Sequence, residues 1–561
     1  MRSTFAGLNT MYRGIVANQL SLHTVGHNLS NADTEGFSRQ KLNQAATMAQ
    51  EIYTVYGQKQ IGTGTDALSI MRARNVYADK QFWKESATEN YYASKQTNYD
   101  KIEAIFNDSK NSGIQNAMEA FYKTWVDLSA NASTTSNRTT VIEQAKVFID
   151  RISTAATQVQ NQITAEYDDL LTHVDTINDL SDQIVNLNKN IAAVEATGSY
   201  ANDLRDKRDL LTDELSTYLN INVYEDNENG SYQIVCNGAS LVNGYNALHL
   251  IMAEPVANKK YGITDYSLRI KETDTIFAPS DGILKAELDN VVEDKTYLDD
   301  LSNMAAFMMT TFNEQHRAGY GIDGNVVDPK KTEINFFGDR DTIYTWDDNY
   351  SRVIATRGGE AEYLEGIQII KTLAVNTQLT DPNGTEYVCA CGGKLESENV
   401  YGYAGTTSSY TVEFDKVTGT RTVTVEDAVN GTKTVSVYSM NGTADGSNAV
   451  LLSALFTEVQ GNTENKVLTR AIGTVSLEAY YNACMSGLGA AAEAMDNMVD
   501  AQEIIINQVT TWRSSTSGVN WNEELTNMIT FQTGYNACSR CLTTMDEMLD
   551  RLINNTGVVG R

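Results

Sequence analysis

The chain has 561 residues, which is too long for one hydrophobic core and predicts about three or four domains. Asp and Glu outnumber Lys and Arg by 72 to 43, a formal net charge of −29, so we expect neither nucleic acid nor a membrane surface as partner. No apolar stretch has the length of a membrane span or of a cleaved secretion signal. This predicts a cytoplasmic protein, or one exported without a cleaved signal.

Each end of the chain carries an apolar row that advances by alternating steps of three and four residues, the heptad spacing of a coiled coil. The first row consists of Leu8, Met11, Ile15, Leu22, Val25 and Leu29, with Asn18 in the same row. The second row consists of Phe531, Tyr535, Cys538, Leu542, Met545, Leu549 and Leu552. A lone helix of this length is marginal in water, so we expect the two ends to meet, in one molecule or across several. The alternative is two ordinary core-facing helices of a globular domain.

The middle of the chain alternates between helical and strand-like segments. Helical spacing from Ile142 to Val194, with one phase slip, predicts a single very long helix that Gly198 ends. Shorter helices are expected near 80–107, 114–129, 203–219 and 472–513, with another over 283–318. Period-two alternation and Gly-containing turns predict strands in 221–275 and in 320–470.

These segments predict a multidomain α+β protein with paired N- and C-terminal coiled-coil helices, an elongated antiparallel helical bundle and inserted β-rich domains. The expected terminal domain joins 1–72 with 519–561. The helical domain joins 73–220 with 283–319 and 471–518. A small β unit occupies 221–282, and a β-rich outer domain occupies 320–470.

The sequence offers few candidates for chemistry, and a structural interpretation is favoured for each. Cys538 and Cys541 form a CxxC inside a periodic helix with no second pair, which favours helix packing over a metal or redox site. Cys389 and Cys391 lack partner ligands. The glycines at 62 and 64 lack the βαβ context of a dinucleotide fingerprint, and the histidines at 23 and 27 lack further metal ligands. We therefore predict no enzyme activity, no cofactor and no metal.

The segment that follows the first helix resembles the signature of bacterial flagellar axial proteins, the rod, hook and hook-associated proteins. The matching residues are Asn28, Asn31, Thr34, Gly36 and Phe37, where the family usually has Tyr at the last position. Residues 202–209, 237–244, 312–319 and 513–520 are similar to blocks of the hook-associated members. The resemblance covers about 1–340 and 470–561 and leaves 340–470 unassigned.

This resemblance implies an extracellular structural subunit at the junction between flagellar hook and filament, exported unfolded without a cleaved signal. The implied partners are the hook protein, a second junction protein, neighbouring copies in a ring, and an export chaperone. For the chaperone, the C-terminal helix offers Leu525, Met528, Leu542 and Leu549. The two apolar rows would serve as the subunit-packing seam. Two alternatives stay open: another axial protein of hook or distal rod, or a displayed binding module or enzyme carried by 340–470.

Overall fold

The computed structural model describes residues 6–54, 57–106, 113–226, 231–324, 326–392, 409–415, 420–427, 431–435, 442–458 and 471–555. Of the Gly-containing turns that separate the predicted strands, those at 229–230 and 418–419, and the first residues of those at 430–431 and 441–442, lie outside the described residues.

Twelve α-helices cover most of the described chain. They are α1 (Ala6–Ser30), α2 (Val76–Phe106), α3 (Ile114–Ala130), α4 (Thr135–Glu195), α5 (Asn202–Tyr218), α6 (Ile283–Phe307), α7 (Asn313–Ala318), α8 (Ile367–Thr372), α9 (Thr377–Thr380), α10 (Ser447–Thr457), α11 (Leu477–Ser517) and α12 (Trp521–Asn555). A π-helical turn (Met308–Phe312) joins α6 to α7. At 61 residues, α4 is about 90 Å long and confirms the predicted rod.

The strands form small antiparallel sheets in the described residues. Near the N-terminus lie β1 (Gln40–Ala46), β2 (Gln50–Thr54), β3 (Gly57–Ile61) and β4 (Thr65–Arg72). After α5 come β5 (Asn222–Asp226), β6 (Ser231–Cys236), β7 (Ala239–Asn243), β8 (Asn246–Ala247), β9 (Leu250–Met252), β10 (Val256–Asn258), β11 (Ile263–Asp265), β12 (Leu268–Ile270) and β13 (Thr275–Ile276). After α7 come β14 (Tyr320–Asp323), β15 (Val326–Thr332), β16 (Ile343–Asp347), β17 (Arg352–Arg357), β18 (Glu360–Leu364), β19 (Ser409–Asp415), β20 (Thr420–Asp427) and β21 (Gly431–Val435).

The first and last helices pair side by side and antiparallel, which confirms that the two ends of the chain meet. A Cβ atom added at Gly7 would lie 2.7 Å from the Met545 side chain, and one added at Gly14 would lie 3.0 Å from Cys538 Sγ. Seven residues forward on α1 thus correspond to seven residues back on α12. The heptad period keeps the two faces in register along the pair, and glycine brings the backbones close.

Behind this pair, α2, α4, α6 and α11 form an elongated bundle, on which α3 and α5 also pack. Its apolar core has two parts. The larger part is rich in aromatic rings, of which Phe121, Trp125, Phe312 and Phe336 lie in mutual contact. The smaller part gathers side chains of α4 and of the β5–β8 sheet. The fold class predicted from the sequence is therefore confirmed.

Two local features go beyond the predictions. The segment 320–470 was predicted to be β-rich, and it carries β14 to β21 together with α8, α9 and α10, of which α8 and α10 add side chains to the larger core. Short apolar runs such as Ile367–Ile370 read equally well as strand or helix, so packing decides between them. The helix predicted near 472–513 ends later than expected, since α11 continues to Ser517. The domain boundaries stay a prediction.

Within the described residues, no helix combines the length and apolar character that crossing a membrane requires.

Candidate functional site

The exit of α1 is fixed by the side chain of Asn28, which is 1% exposed. Its Nδ2 donates to the Gln40 carbonyl oxygen (2.9 Å), and its Oδ1 accepts from the Gln40 backbone N–H (2.9 Å). The same Nδ2 also reaches Glu524 Oε2 on α12 (3.2 Å). The Asn28 amide therefore bonds both backbone groups of Gln40 at the start of β1 and also connects α1 to α12. Asn and Gln side chains can do this because an amide carries a donor and an acceptor side by side.

The rest of the motif shapes the turn between α1 and β1. The backbone N–H of Thr34 donates to the Asn31 carbonyl oxygen (3.0 Å), and Asn31 Nδ2 donates to the His27 carbonyl oxygen (3.0 Å). Gly36 has φ +73°, and a Cβ there would also press on Leu210 of α5 at 3.1 Å. The His27 and Phe37 rings meet edge to face, with centroids 5.4 Å apart. Both the positive φ and the closeness of Leu210 favour glycine at position 36, because glycine has no Cβ atom.

Arg39, just after this turn, connects β1 to both C-terminal helices. Its Nε donates to Glu524 Oε1 (2.7 Å) and its Nη2 to Glu523 Oε1 (2.6 Å). Its backbone N–H donates to the Ser517 carbonyl oxygen at the end of α11 (2.8 Å). Burial alone would lower the pKa of Arg39, but the hydrogen bonds and charges of the two glutamates raise it. The guanidinium thus stays charged.

A buried cluster of arginines and aspartates lies behind the motif. Arg72 Nη1 contacts Asp206 Oδ1 and Asp209 Oδ2, both at 2.7 Å, and Arg74 Nη1 lies 3.1 Å from Asp209 Oδ2. Asp206 Oδ2 also accepts from the Ser38 backbone N–H (3.0 Å). Burial by itself would raise the pKa of Asp209, but Arg74 and Arg72 outweigh it and hold that pKa below its usual value. The cluster therefore joins the end of β4 to α5 by charge-assisted bonds.

Arg513 of α11 extends this cluster to the C-terminal part of the chain. Its Nε lies 2.8 Å from Asp79 Oδ1, and its Nη2 contacts Asp213, whose Oδ1 also accepts from Trp83 Nε1 (2.6 Å). The guanidinium carbon lies 4.5 Å from the centre of the Phe82 ring. Burial raises the pKa of Asp213 in spite of the nearby arginines. We call the contacts of Asn28, Arg39, Arg72, Arg74 and Arg513 the terminal junction.

The terminal junction brings together three segments that are distant in the sequence, and two of them lie within regions that match family models. Residues 99–330 match the model described as "Flagellar hook-associated protein FlgK helical domain". Residues 513–555 match "Flagellar basal body rod FlgEFG protein C-terminal". Flagellar hook-associated protein 1 of Bacillus subtilis is 27% identical over the whole of both chains. The proteins of that name from Salmonella typhimurium and Escherichia coli are each 24% identical over 98% of this chain and 99% of their own.

The similarity to flagellar hook-associated protein 1 thus extends along the whole chain.

The fold agrees with these similarities. A solved structure, described as the flagellar hook junction protein FlgK from Burkholderia pseudomallei, superposes with a TM-score of 0.56 and 15% identity. It covers 78% of this chain and 100% of its own. Together, the family models and the full-length relatives make the chain a structural component of the bacterial flagellum.

The predicted seam lies along the α1–α12 pair and is only partly covered by it. Val25 is buried. The partly buried residues are Leu8, Met11, Ile15, Leu22, Leu29, Phe531, Tyr535, Leu542, Met545 and Leu549. The side chain of Leu552 lies outside the described part of the structure. Two helices alone therefore leave much of the seam accessible to further partners.

The predicted chaperone-binding residues differ in exposure within α12. Leu525 is exposed, whereas Met528, Leu542 and Leu549 are partly buried. Large apolar side chains beside them that are also exposed are Trp512, Trp521, Ile529, Met548 and Ile553. The outer face of the C-terminal helices thus carries exposed apolar side chains among its polar ones, in addition to the seam, and sequence periodicity had singled out only the seam.

The candidates for chemistry fall into structural positions. Cys538 packs against Gly14, as its place in the seam predicts, and Cys541 is exposed. Cys389 and Cys391 are buried and free. His27 Nε2 lies 3.4 Å from Asp203 Oδ1, an exposed contact. Among the described residues, no group of three or more His, Cys, Asp or Glu side chains has the arrangement of a metal site.

Sequence reasoning named the motif residues but missed the buried charges behind them. Arg72, Arg74 and Arg513 look like solvated side chains in the sequence, because most of their carboxylate partners are far along the chain, as far as the 434 positions between Asp79 and Arg513. The one available signal was that Arg513 begins one of the blocks that resemble the axial family.

Proposed function

We propose that this protein is the structural subunit between flagellar hook and filament, and that it assembles through the outward faces of α1 and α12. The single observation that carries the proposal is the α1–α12 pair, whose seam is half covered within one chain and whose flanks carry exposed Leu525 and Ile529. Burying such apolar surface is the main driving force of protein association. The partners that fit are neighbouring copies, the hook protein and a second junction protein.

Two further parts of the proposal concern the route to the flagellum. The chain is expected outside the cell after export in an unfolded state, and α12 is the expected contact of an export chaperone. Support comes from the exposed apolar side chains of α12 and its partly covered seam, which need cover before assembly to avoid aggregation. A structural rather than catalytic role is part of the same proposal.

The test uses an exposed residue that the monomer does not need. Ile529 is 65% exposed on α12, so Ile529→Asp is expected to leave the thermal unfolding of the purified monomer unchanged. In a strain lacking the gene, wild type should restore filaments and swimming, whereas Ile529→Asp should leave hooks without filaments.

Val147→Asp is the matched control, because Val147 is 41% exposed on α4, away from the terminal pair. It should swim like wild type. Filaments and swimming with Ile529→Asp would refute assembly through this face. A deletion strain that still bears filaments on its hooks would refute the junction role itself.

A further inference from the structure

The bundle of α2, α4 and α6 contains a buried layer of polar side chains where its two apolar cores adjoin. The larger core ends on α4 at Tyr167, and the smaller begins there at Leu170. We define the polar layer by Asn98 of α2, Gln162 and Glu166 of α4, and Asn290 and Asp294 of α6. Asp294 is 0% exposed and Asn290 is 1% exposed. A buried charge at such a place is costly unless every polar atom has a partner.

Hydrogen bonds connect the layer almost completely. Asn98 Nδ2 donates to Asp294 Oδ1 (2.9 Å), and Gln162 Nε2 donates to Asn98 Oδ1 (3.0 Å). Gln162 Nε2 also donates to Glu166 Oε1 (2.7 Å), and Asn290 Nδ2 donates to Glu166 Oε2 (3.2 Å). The chain of contacts therefore starts at Asp294 on α6, crosses α2 and α4, and returns to α6 at Asn290.

Two buried oxygens of the layer have no partner: Asp294 Oδ2 and Asn290 Oδ1. They belong to residues four apart on α6, so their side chains lie on the same face, one turn apart. Both atoms are acceptors when Asp294 is ionised, and two acceptors cannot bond each other. A single proton on Asp294 would turn one of them into a donor.

We propose that Asp294 is held as a neutral carboxylic acid whose Oδ2–H donates to Asn290 Oδ1, and that this one proton closes the ring between α2, α4 and α6. The closed ring fixes the alignment of α6 against its two neighbours, as a single buried Asn fixes the register of a coiled coil. Loss of the proton leaves an ionised carboxylate with a bare, buried oxygen.

The surroundings of Asp294 favour the neutral form. Burial raises the pKa of Asp294 to about 7, the Asn98 hydrogen bond opposes this, and the charges of Glu166 and Glu293 add to it. Lys95 of α2 is the nearby cation that lowers it. The Lys95 ammonium lies 2.6 Å from Glu293 Oε2, so much of its charge is compensated there.

The sign of the pH dependence follows from linkage. The folded-state pKa of Asp294 lies above the ordinary value of 3.8, so between about pH 4 and pH 7 the folded chain holds a proton that the unfolded chain has released. The stability that protonated Asp294 contributes to the fold is therefore fully present below about pH 4 and is lost as the pH rises through about 7.

Asp294→Asn tests the proposal, because its Nδ2 supplies permanently the donor that the proton supplies in the wild type. Urea unfolding of the full chain is measured from pH 5 to pH 9. The folding constant of the variant, relative to wild type, should rise by up to about tenfold per pH unit towards pH 7 and level off above pH 8, with the variant more stable there. Asp179→Asn, on the exposed face of α4, is the control and should parallel wild type.

A second measurement needs only the wild-type chain as it exists. The infrared difference spectrum between pH 6 and pH 8.5 should show the carbonyl stretch of a buried, protonated carboxylic acid, and this band should be absent from Asp294→Asn. Parallel unfolding curves for Asp294→Asn and wild type across this range would overturn the proposal, as would a wild-type spectrum without the band.

Discussion

Asn28→Ala is expected to open the terminal junction while the helical bundle stays folded. The substitution removes the partners of the Gln40 backbone N–H and carbonyl groups and one of the two partners of Glu524. An unsatisfied buried polar group costs about 1–3 kcal/mol, so the two backbone groups together cost about 2–6 kcal/mol. Even the low end corresponds to about a 30-fold rise in the population of the opened junction.

Hydrogen exchange followed by mass spectrometry resolves this effect by region. Peptides from α1, β1 and α12 should exchange at least about 30-fold faster in Asn28→Ala, whereas those from the centre of α4 should keep the wild-type rate. Asn31→Ala is the matched control, since Asn31 Nδ2 binds the His27 carbonyl in a partly exposed place where water can replace it. Unchanged exchange in α1 and α12, or an equal rise in α4, would refute the role given to Asn28.

Two other substitutions test the packing of α1 and the buried charges. Gly14→Leu should weaken the α1–α12 pair by about 1–3 kcal/mol, because the added side chain overpacks against Cys538. Gly26→Ala should stabilise α1 by about 1 kcal/mol, because the space around its Cβ is open. If thermal unfolding shows Gly14→Leu to be the more stable of the two variants, the close approach of α1 to α12 at Gly14 is contradicted. Asp209→Asn should cost about 3–5 kcal/mol at pH 7, because Arg72 and Arg74 lose a buried partner. The pKa of Asp209 is lowered in the folded chain, so its contribution is present above about pH 4 and is lost as the pH falls further, and the gap to wild type should close in acid denaturation curves.

Helical periodicity was the reliable guide to the fold. The steps of three and four from Ile142 to Val194 gave α4. At the start of α12, the Asn520 side-chain oxygen accepts from the backbone N–H groups of Asn522 and Glu523, as a helix cap of local origin. These features depend on neighbours within a few turns, which a single sequence displays in full. The short helices among the strands could not be distinguished in this way, because their apolar runs are shorter than one helical repeat.

The candidate site was predictable in its residues and unpredictable in its contacts. The motif named Asn28 and Gly36, but nothing local indicates that Asn28 would bond Glu524 or that Gly36 would lie against Leu210. Such pairings arise from the tertiary fold. The buried Asp294 was missed for the same reason, since an acidic residue inside a periodic helix is ordinarily a solvated one.

The pairing of α1 with α12 also sets an order of events. Asn28 and Glu524 are 496 positions apart, so the first helix to be made is the last to find its neighbour. Contacts of such wide separation form slowly unless the intervening chain has already condensed and carries its two ends towards each other. A polypeptide interrupted anywhere upstream of α12 is therefore left with an uncovered leading helix, which distinguishes it physically from a finished one.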